Sequence, residues 1–94
     1  MRFDWSSEKN EWLKINRGIS FEQIIFHIGL GDIWLIADHP NQEKYPEQKI
    51  YFVVVDEYVY LVPHVVESDY IFLKTIIPSR KATKEYLKEK KGQS

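Results

Sequence analysis

Residues 50–66 read Ile-Tyr-Phe-Val-Val-Val-Asp-Glu-Tyr-Val-Tyr-Leu-Val-Pro-His-Val-Val. This stretch decides the fold. Ile50–Val55 is a continuous apolar run, the pattern of a strand buried on both faces. Asp56-Glu57 is polar and has the length of a hairpin turn, without the glycine such turns favour. Tyr58–Val66 resumes as a strand. Pro63 interrupts it, and proline donates no ladder hydrogen bond, so the position lies at an edge or beside a bulge.

Working outward toward the C-terminus, Ser68-Asp69 turns the chain into a further strand, Tyr70–Ile77, which Pro78 ends. Ser79 suits the N-cap of a last helix whose apolar side is Ala82, Thr83, Tyr86 and Leu87. Lys81, Lys84, Lys88 and Lys91 recur at i, i+3, i+7 and i+10 and predict one basic stripe. Toward the N-terminus, Asp38–Gln48 contains His39-Pro40-Asn41 and Tyr45-Pro46 and reads as a loop. Ile33–Ala37 is a short apolar strand. Ser20 and Gln23 fit a capping box, and Phe21, Ile24, Ile25 and Ile28 form one helical face. Gly29 and Gly31 end that helix. Ser6 caps an earlier one, with Glu8 in its first turn and Trp12, Leu13 and Ile15 on its apolar side. It runs to about Asn16 and stops at Gly18. Arg2–Trp5 alternates as a first strand. The order β-α-α-β-β-β-β-α predicts an α+β fold. An N-terminal helical hairpin packs on a mainly antiparallel four- to five-stranded sheet, with a C-terminal helix. The expected organisation is one domain over residues 1–91 and a disordered tail at 92–94.

Composition bounds the function. The chain has 94 residues, with Lys+Arg 13, Asp+Glu 14 and a formal net charge of -1. That excludes a bulk polycation and an acidic solubilising tail. The charge is uneven: Arg80–Lys91 is net +4, and residues 1–79 are net −5. Hydrophobic content of 44% supports a packed core. With no cysteine, disulfides, thiolate metal ligands and a cysteine nucleophile are excluded. No apolar run approaches the roughly 20 residues of a membrane span. Met-Arg-Phe-Asp-Trp also lacks the apolar stretch of a secretion signal. The expected location is cytoplasmic, with no membrane partner.

Few motifs carry chemistry. His27, His39 and His64 are isolated in sequence, so no metal is expected. His27 reads as a boundary or core histidine. Gly29-Leu30-Gly31 is too short for a phosphate loop, and no nucleophile elbow occurs, so no cofactor is expected. Carboxylates are plentiful but none is paired at a diagnostic spacing. The basic helix has two readings, a solvated face or a phosphate-binding surface. Arg80 and Lys81 favour the second: they occupy the first turn, the wrong end of the dipole for a cation and the right end for an anion. Tyr58, Tyr60, Tyr70, Tyr86 and Phe72 are rings for either a core or base stacking. His64 shares strand parity with Tyr58, Tyr60 and Val62 beside the Pro63 irregularity, which makes it an acid/base candidate.

Phe3-Asp4-Trp5, Lys9-Asn10, Gly18-Ile19-Ser20-Phe21-Glu22 and Pro78-Ser79-Arg80-Lys81-Ala82-Thr83 resemble the BrnT family of toxins. These belong to bacterial type II toxin–antitoxin systems. The likeness covers both ends of the chain, and the middle matches in its pattern of strands. Asn16-Arg17 stands where Lys-His is common in the family, and Thr75 where an arginine is often found. The resemblance implies a RelE/ParE-like fold and a metal-independent endoribonuclease that cleaves RNA and inhibits translation. It also implies a cognate antitoxin, a small DNA-binding protein of ribbon–helix–helix type. It carries over to Arg80 with Lys81 beside it, and Lys49 looks like a further basic position of the family. The chemistry of RNA cleavage then casts Arg80 as phosphate clamp, Lys81 and Lys49 as further phosphate or proton-transfer groups, and His64, read from its strand position, as acid/base. Lys74, Lys84 and Lys88 are the expected RNA-binding residues. Two alternatives stand beside it: a toxin of the same fold that binds a protein target such as DNA gyrase, and a non-catalytic RNA- or partner-binding domain.

Overall fold

A computed structural model describes residues 2–92. The elements run β1 (Arg2–Asp4), α1 (Ser7–Arg17), α2 (Phe21–Gly29), β2 (Ile33–Asp38), β3 (Gln48–Val55), β4 (Tyr58–Val66), β5 (Tyr70–Leu73), β6 (Ile77–Pro78) and α3 (Arg80–Gly92). The sheet order is β1-β5-β4-β3-β2, and β6 also pairs with β4. The described residues form an α+β fold with three helices and a mixed six-stranded sheet. This corrects the expected strand count, and one pairing departs from the antiparallel majority. β1 lies parallel to β5, in register from Arg2 opposite Tyr70 to Asp4 opposite Phe72, and the other pairings are antiparallel.

The extra strand has a local cause. The run expected as one strand over Tyr70–Ile77 leaves the ladder after Leu73 and rejoins β4 at Ile77, opposite Leu61. Pro63 sits opposite that gap. Its carbonyl accepts the Lys74 amide at 2.8 Å. Within a strand residue the N–H and C=O point to the same side, so the donor that proline lacks faces the interruption. β4 therefore tolerates Pro63 in a central position, and the irregularity falls on its neighbour.

Alternation along β3 and β4 gives the sheet two helix-covered faces, one of which carries the hydrophobic core. Tyr51, Val53, Val55 and Val62 pack with Leu73 and Ile76 against Leu13, Ile19, Phe21 and Ile24 from the first two helices and their connection. Each fully buried side chain of this kind contributes roughly 1.5–3 kcal/mol. The alternate positions face α3, where Ala82 and Thr83 are buried. Thr83 joins helix to sheet: its Oγ1 accepts the Val59 N–H at 2.8 Å and donates to the Ser79 carbonyl at 2.7 Å. Leu87, expected on the same apolar side, is largely exposed.

The helix caps follow the sequence. Ser6 Oγ accepts the Lys9 amide, and Ser20 with Gln23 completes a reciprocal capping box. Asn10 ties α1 to α2. Its Oδ1 accepts the Phe21 N–H at 2.8 Å and its amide donates to Glu22 Oε1 at 2.7 Å. The Asp56-Glu57 turn has φ of 51° and 62°, the left-handed pair that a two-residue hairpin requires and that glycine or asparagine adopts more readily. The Glu57 carboxylate meets Lys90 Nζ at 2.9 Å, an exposed contact between the turn and the end of α3. Lys90 also holds the Glu57 carboxyl below its ordinary range. The helix runs through Gly92. The remainder of the tail expected at 92–94 lies outside the described residues.

Candidate nucleic-acid interface

The start of α3 is built by Ser79. Its amide donates to the Val59 carbonyl at 3.0 Å, which docks the helix start on β4. Its Oγ accepts the Ala82 N–H at 3.0 Å and its carbonyl accepts the Thr83 N–H at 3.0 Å. The amides of Arg80 and Lys81 are left without a protein acceptor among the described residues. No acidic residue occupies the first turn. Arg80, Lys81, Lys84 and Lys88 are exposed. None of the four side chains makes a hydrogen bond, ion pair or ring contact among the described residues. Unneutralised cations beside free helix N–H groups concentrate positive potential at one point.

A cleft adjoins that helix. It encloses about 530 Å³ between α3 and the sheet, with Trp34, Phe52 and Leu61 on the sheet side and Lys81, Glu85 and Glu89 on the helix. A bulge between Ile33 and Leu35 shifts the register of β2 at Trp34, and bulges re-aim side chains in this way. Trp34 meets Phe52 with ring centroids 6.2 Å apart and Tyr86 at 5.5 Å, both edge-on. The basic stripe read from the sequence is thereby divided. Lys81 shares the cleft with Glu85 and Glu89 at i, i+4 and i+8, whereas Lys84 and Lys88 are not part of its lining.

His64 and Lys49 lie elsewhere. They are cross-strand partners in the β3–β4 ladder and share parity with Tyr51 and Val62, on the face covered by α1 and α2. Arg80 and Lys81 belong to the helix on the opposite face. The structure thus brings Lys49 to His64 and Arg80 to Lys81, but does not join the two pairs. Lys49 Nζ is 2.9 Å from Asp38 Oδ1. His64 is 1% exposed and stacks on Tyr51 with ring centroids 3.7 Å apart and planes 10° from parallel. Its Nδ1 lies 3.0 Å from the Val62 carbonyl, which assigns the proton to Nδ1 in the neutral ring. A ring so enclosed offers an incoming phosphate no direct contact. Lys74 is exposed, with its ammonium 5.3 Å from the centroid of the Phe72 ring. Phe72 pairs with Val65, on the α3 side of the sheet.

Burial pushes the His64 pKa down, and the Lys49 ammonium adds to the effect against the Val62 hydrogen bond. The folded chain therefore resists protonation at a pH where the unfolded chain accepts it. Stability is complete above the unfolded value of about 6.5 and falls as pH drops below it, with a slope of at most about 1.4 kcal/mol per pH unit for one group. Thermal melts between pH 7.5 and 5 should show a decline in the native chain that is flatter in His64→Phe. Parallel declines would remove His64 from the account.

His27 Nδ1 lies 2.8 Å from Asp32 Oδ2, across the turn that ends α2. Among the described residues, no group of three His, Cys, Asp or Glu side chains could hold a metal ion. No helix among them is long and apolar enough to cross a membrane. Sequence reasoning missed Trp34, Glu85 and Glu89. For the glutamates the signal available was their spacing at i+4 and i+8 from Lys81, which puts all three on one side of the helix; nothing in the sequence pointed to Trp34. Comparison with protein-family models, with curated proteins and with solved structures found no match to this chain.

Proposed function

We propose that this chain is the toxin of a bacterial type II toxin–antitoxin system, a metal-independent endoribonuclease that acts in the cytoplasm and stops translation. In this reading α1 and α2 form the helical hairpin of a RelE/ParE-like fold, laid on the largely antiparallel part of the sheet, with α3 as the C-terminal helix. The observation that carries it is the start of α3: two unpaired backbone amides and two unpaired cationic side chains, Arg80 and Lys81, in one turn. The likeness of Pro78–Thr83 to the BrnT strand-to-helix junction falls on these same residues.

RNA supplies its own nucleophile. The 2′-oxygen attacks the adjacent phosphorus, the bond to the 5′-oxygen breaks, and a 2′,3′-cyclic phosphate and a 5′-hydroxyl result. The enzyme must bind the phosphate and neutralise the charge that builds on its non-bridging oxygens. Arg80 and the α3 amides do this. In this reading the Lys81 ammonium gives the departing 5′-oxygen its proton, and solvent takes the proton of the 2′-hydroxyl. Lys74, Lys84 and Lys88 draw in the polyanion. The same field suits a neutralising partner, an acidic segment of a ribbon–helix–helix antitoxin that orders on binding.

Incubating purified protein with a mixed-sequence RNA in EDTA tests the reading. The expected products end in 2′,3′-cyclic phosphate and 5′-hydroxyl. Intact RNA overturns it, and gyrase–DNA complexes trapped by the same protein would put a gyrase-directed toxin in its place.

A further inference from the structure

We propose that the cleft beside α3 is a base-reading pocket for an unpaired guanine of the RNA, a proposal that rests on the RNA-binding reading above. Trp34 and Phe52 offer ring surface and Leu61 an apolar floor. This is the setting in which proteins hold a base splayed out of a single strand. On its helical side the same cleft carries two carboxylates. The carboxylates of Glu85 and Glu89 make no hydrogen bond or ion pair among the described residues. They are also the two acidic residues of an otherwise basic helix, and both lie on the cleft.

The chemistry of a carboxylate selects among bases. An ionised carboxylate only accepts hydrogen bonds. Guanine presents two adjacent donors on its Watson–Crick edge, N1–H and the 2-amino group, and one carboxylate accepts both. Adenine and cytosine each place a ring acceptor beside their amino group, and uracil flanks its single N–H with two carbonyls. Those three meet a carboxylate with at least one lone pair against lone pair. The helix also orders the charges along the nucleotide. Lys81 stands at the phosphate end, and Glu85 and Glu89 follow one and two turns later, about 6 and about 12 Å along the axis. The phosphate thus stays near the cations, and the base edge reaches the glutamates.

Titration of the full chain with each of the four nucleoside 5′-monophosphates tests the pocket, read by the indole N–H resonance of Trp34 and assigned with Trp34→Phe. Guanosine monophosphate should shift that resonance and bind at least about tenfold more tightly than the other three. Glu85→Gln and Glu89→Gln, both exposed exchanges that leave the core untouched, should together reduce the preference to about twofold. Equal binding of all four nucleotides, or no movement of Trp34, overturns the proposal. So does a stronger shift by arginine amide, which would make the cleft a site for a basic peptide. Cleavage of mixed-sequence RNA separates this outcome from failure of the nuclease reading. RNA cut without regard to guanine removes the pocket and leaves the nuclease. Guanosine monophosphate bound at Trp34 over uncut RNA removes the nuclease and leaves the pocket.

Discussion

Arg80→Ala should lower the rate of RNA cleavage by about 10²- to 10³-fold, the usual loss when one preorganised donor to a developing oxyanion is removed. Arg80 has little structural work to lose. Its side chain is exposed and makes no hydrogen bond, ion pair or ring contact among the described residues. Truncation therefore leaves the core, the Ser79 cap and the Thr83–Val59 bond in place, and the melting temperature should stay within about 2 °C of the native chain. Lys84→Ala and Lys88→Ala remove one charge each from the open side of α3. They should raise KM less than about tenfold, leave kcat near native, and each reduce the salt slope of RNA binding by about one. Single-turnover cleavage with binding measured at several salt concentrations separates the two classes. An Arg80→Ala enzyme that behaves like Lys88→Ala would reduce Arg80 from clamp to bystander.

Asn10→Ala should destabilise the fold by about 2–3 kcal/mol and lower the melting temperature by roughly 10–20 °C. Asn10 is 4% exposed, and both ends of its amide are used, one by the Phe21 N–H and one by Glu22. Phe21 is fully buried, so the alanine variant strands a buried backbone donor at the first turn of α2. The Glu22 carboxyl is held below its ordinary range first by the Asn10 amide, but it is exposed. Glu22→Gln keeps an acceptor for Asn10 and should therefore cost less than about 1 kcal/mol. Urea unfolding of the pair checks this. An Asn10→Ala variant as stable as Glu22→Gln would show that water reaches the Phe21 amide.

Much of the fold was legible because its signals are local. The caps at Ser6, Ser20 and Ser79, the left-handed stop at Gly18 and the turn at Asp56-Glu57 each depend on a few neighbouring residues. The parallel partner of β1 was not legible, since a three-residue strand carries no mark of which distant edge it will join. Nor was the break at Lys74–Ile76. Pro63 announces a missing donor, but which neighbouring strand absorbs the defect depends on the register across the sheet.

The candidate site divides in the same way. Alone, the sequence determined that positive charge collects after residue 79 and that Ser79 starts a helix there. Charge and capping need nothing beyond residues a turn apart. Only the tertiary structure decided that His64 is enclosed against Tyr51, that Lys49 stands on the far face from Arg80, and that Trp34 comes to lie beside Glu85 and Glu89. Strand parity assigns a side chain to one of two faces, but not to the helix that covers that face. Here α3 crosses to the face opposite α1 and α2, and that choice places its cations and carboxylates beside aromatic rings far from them in sequence.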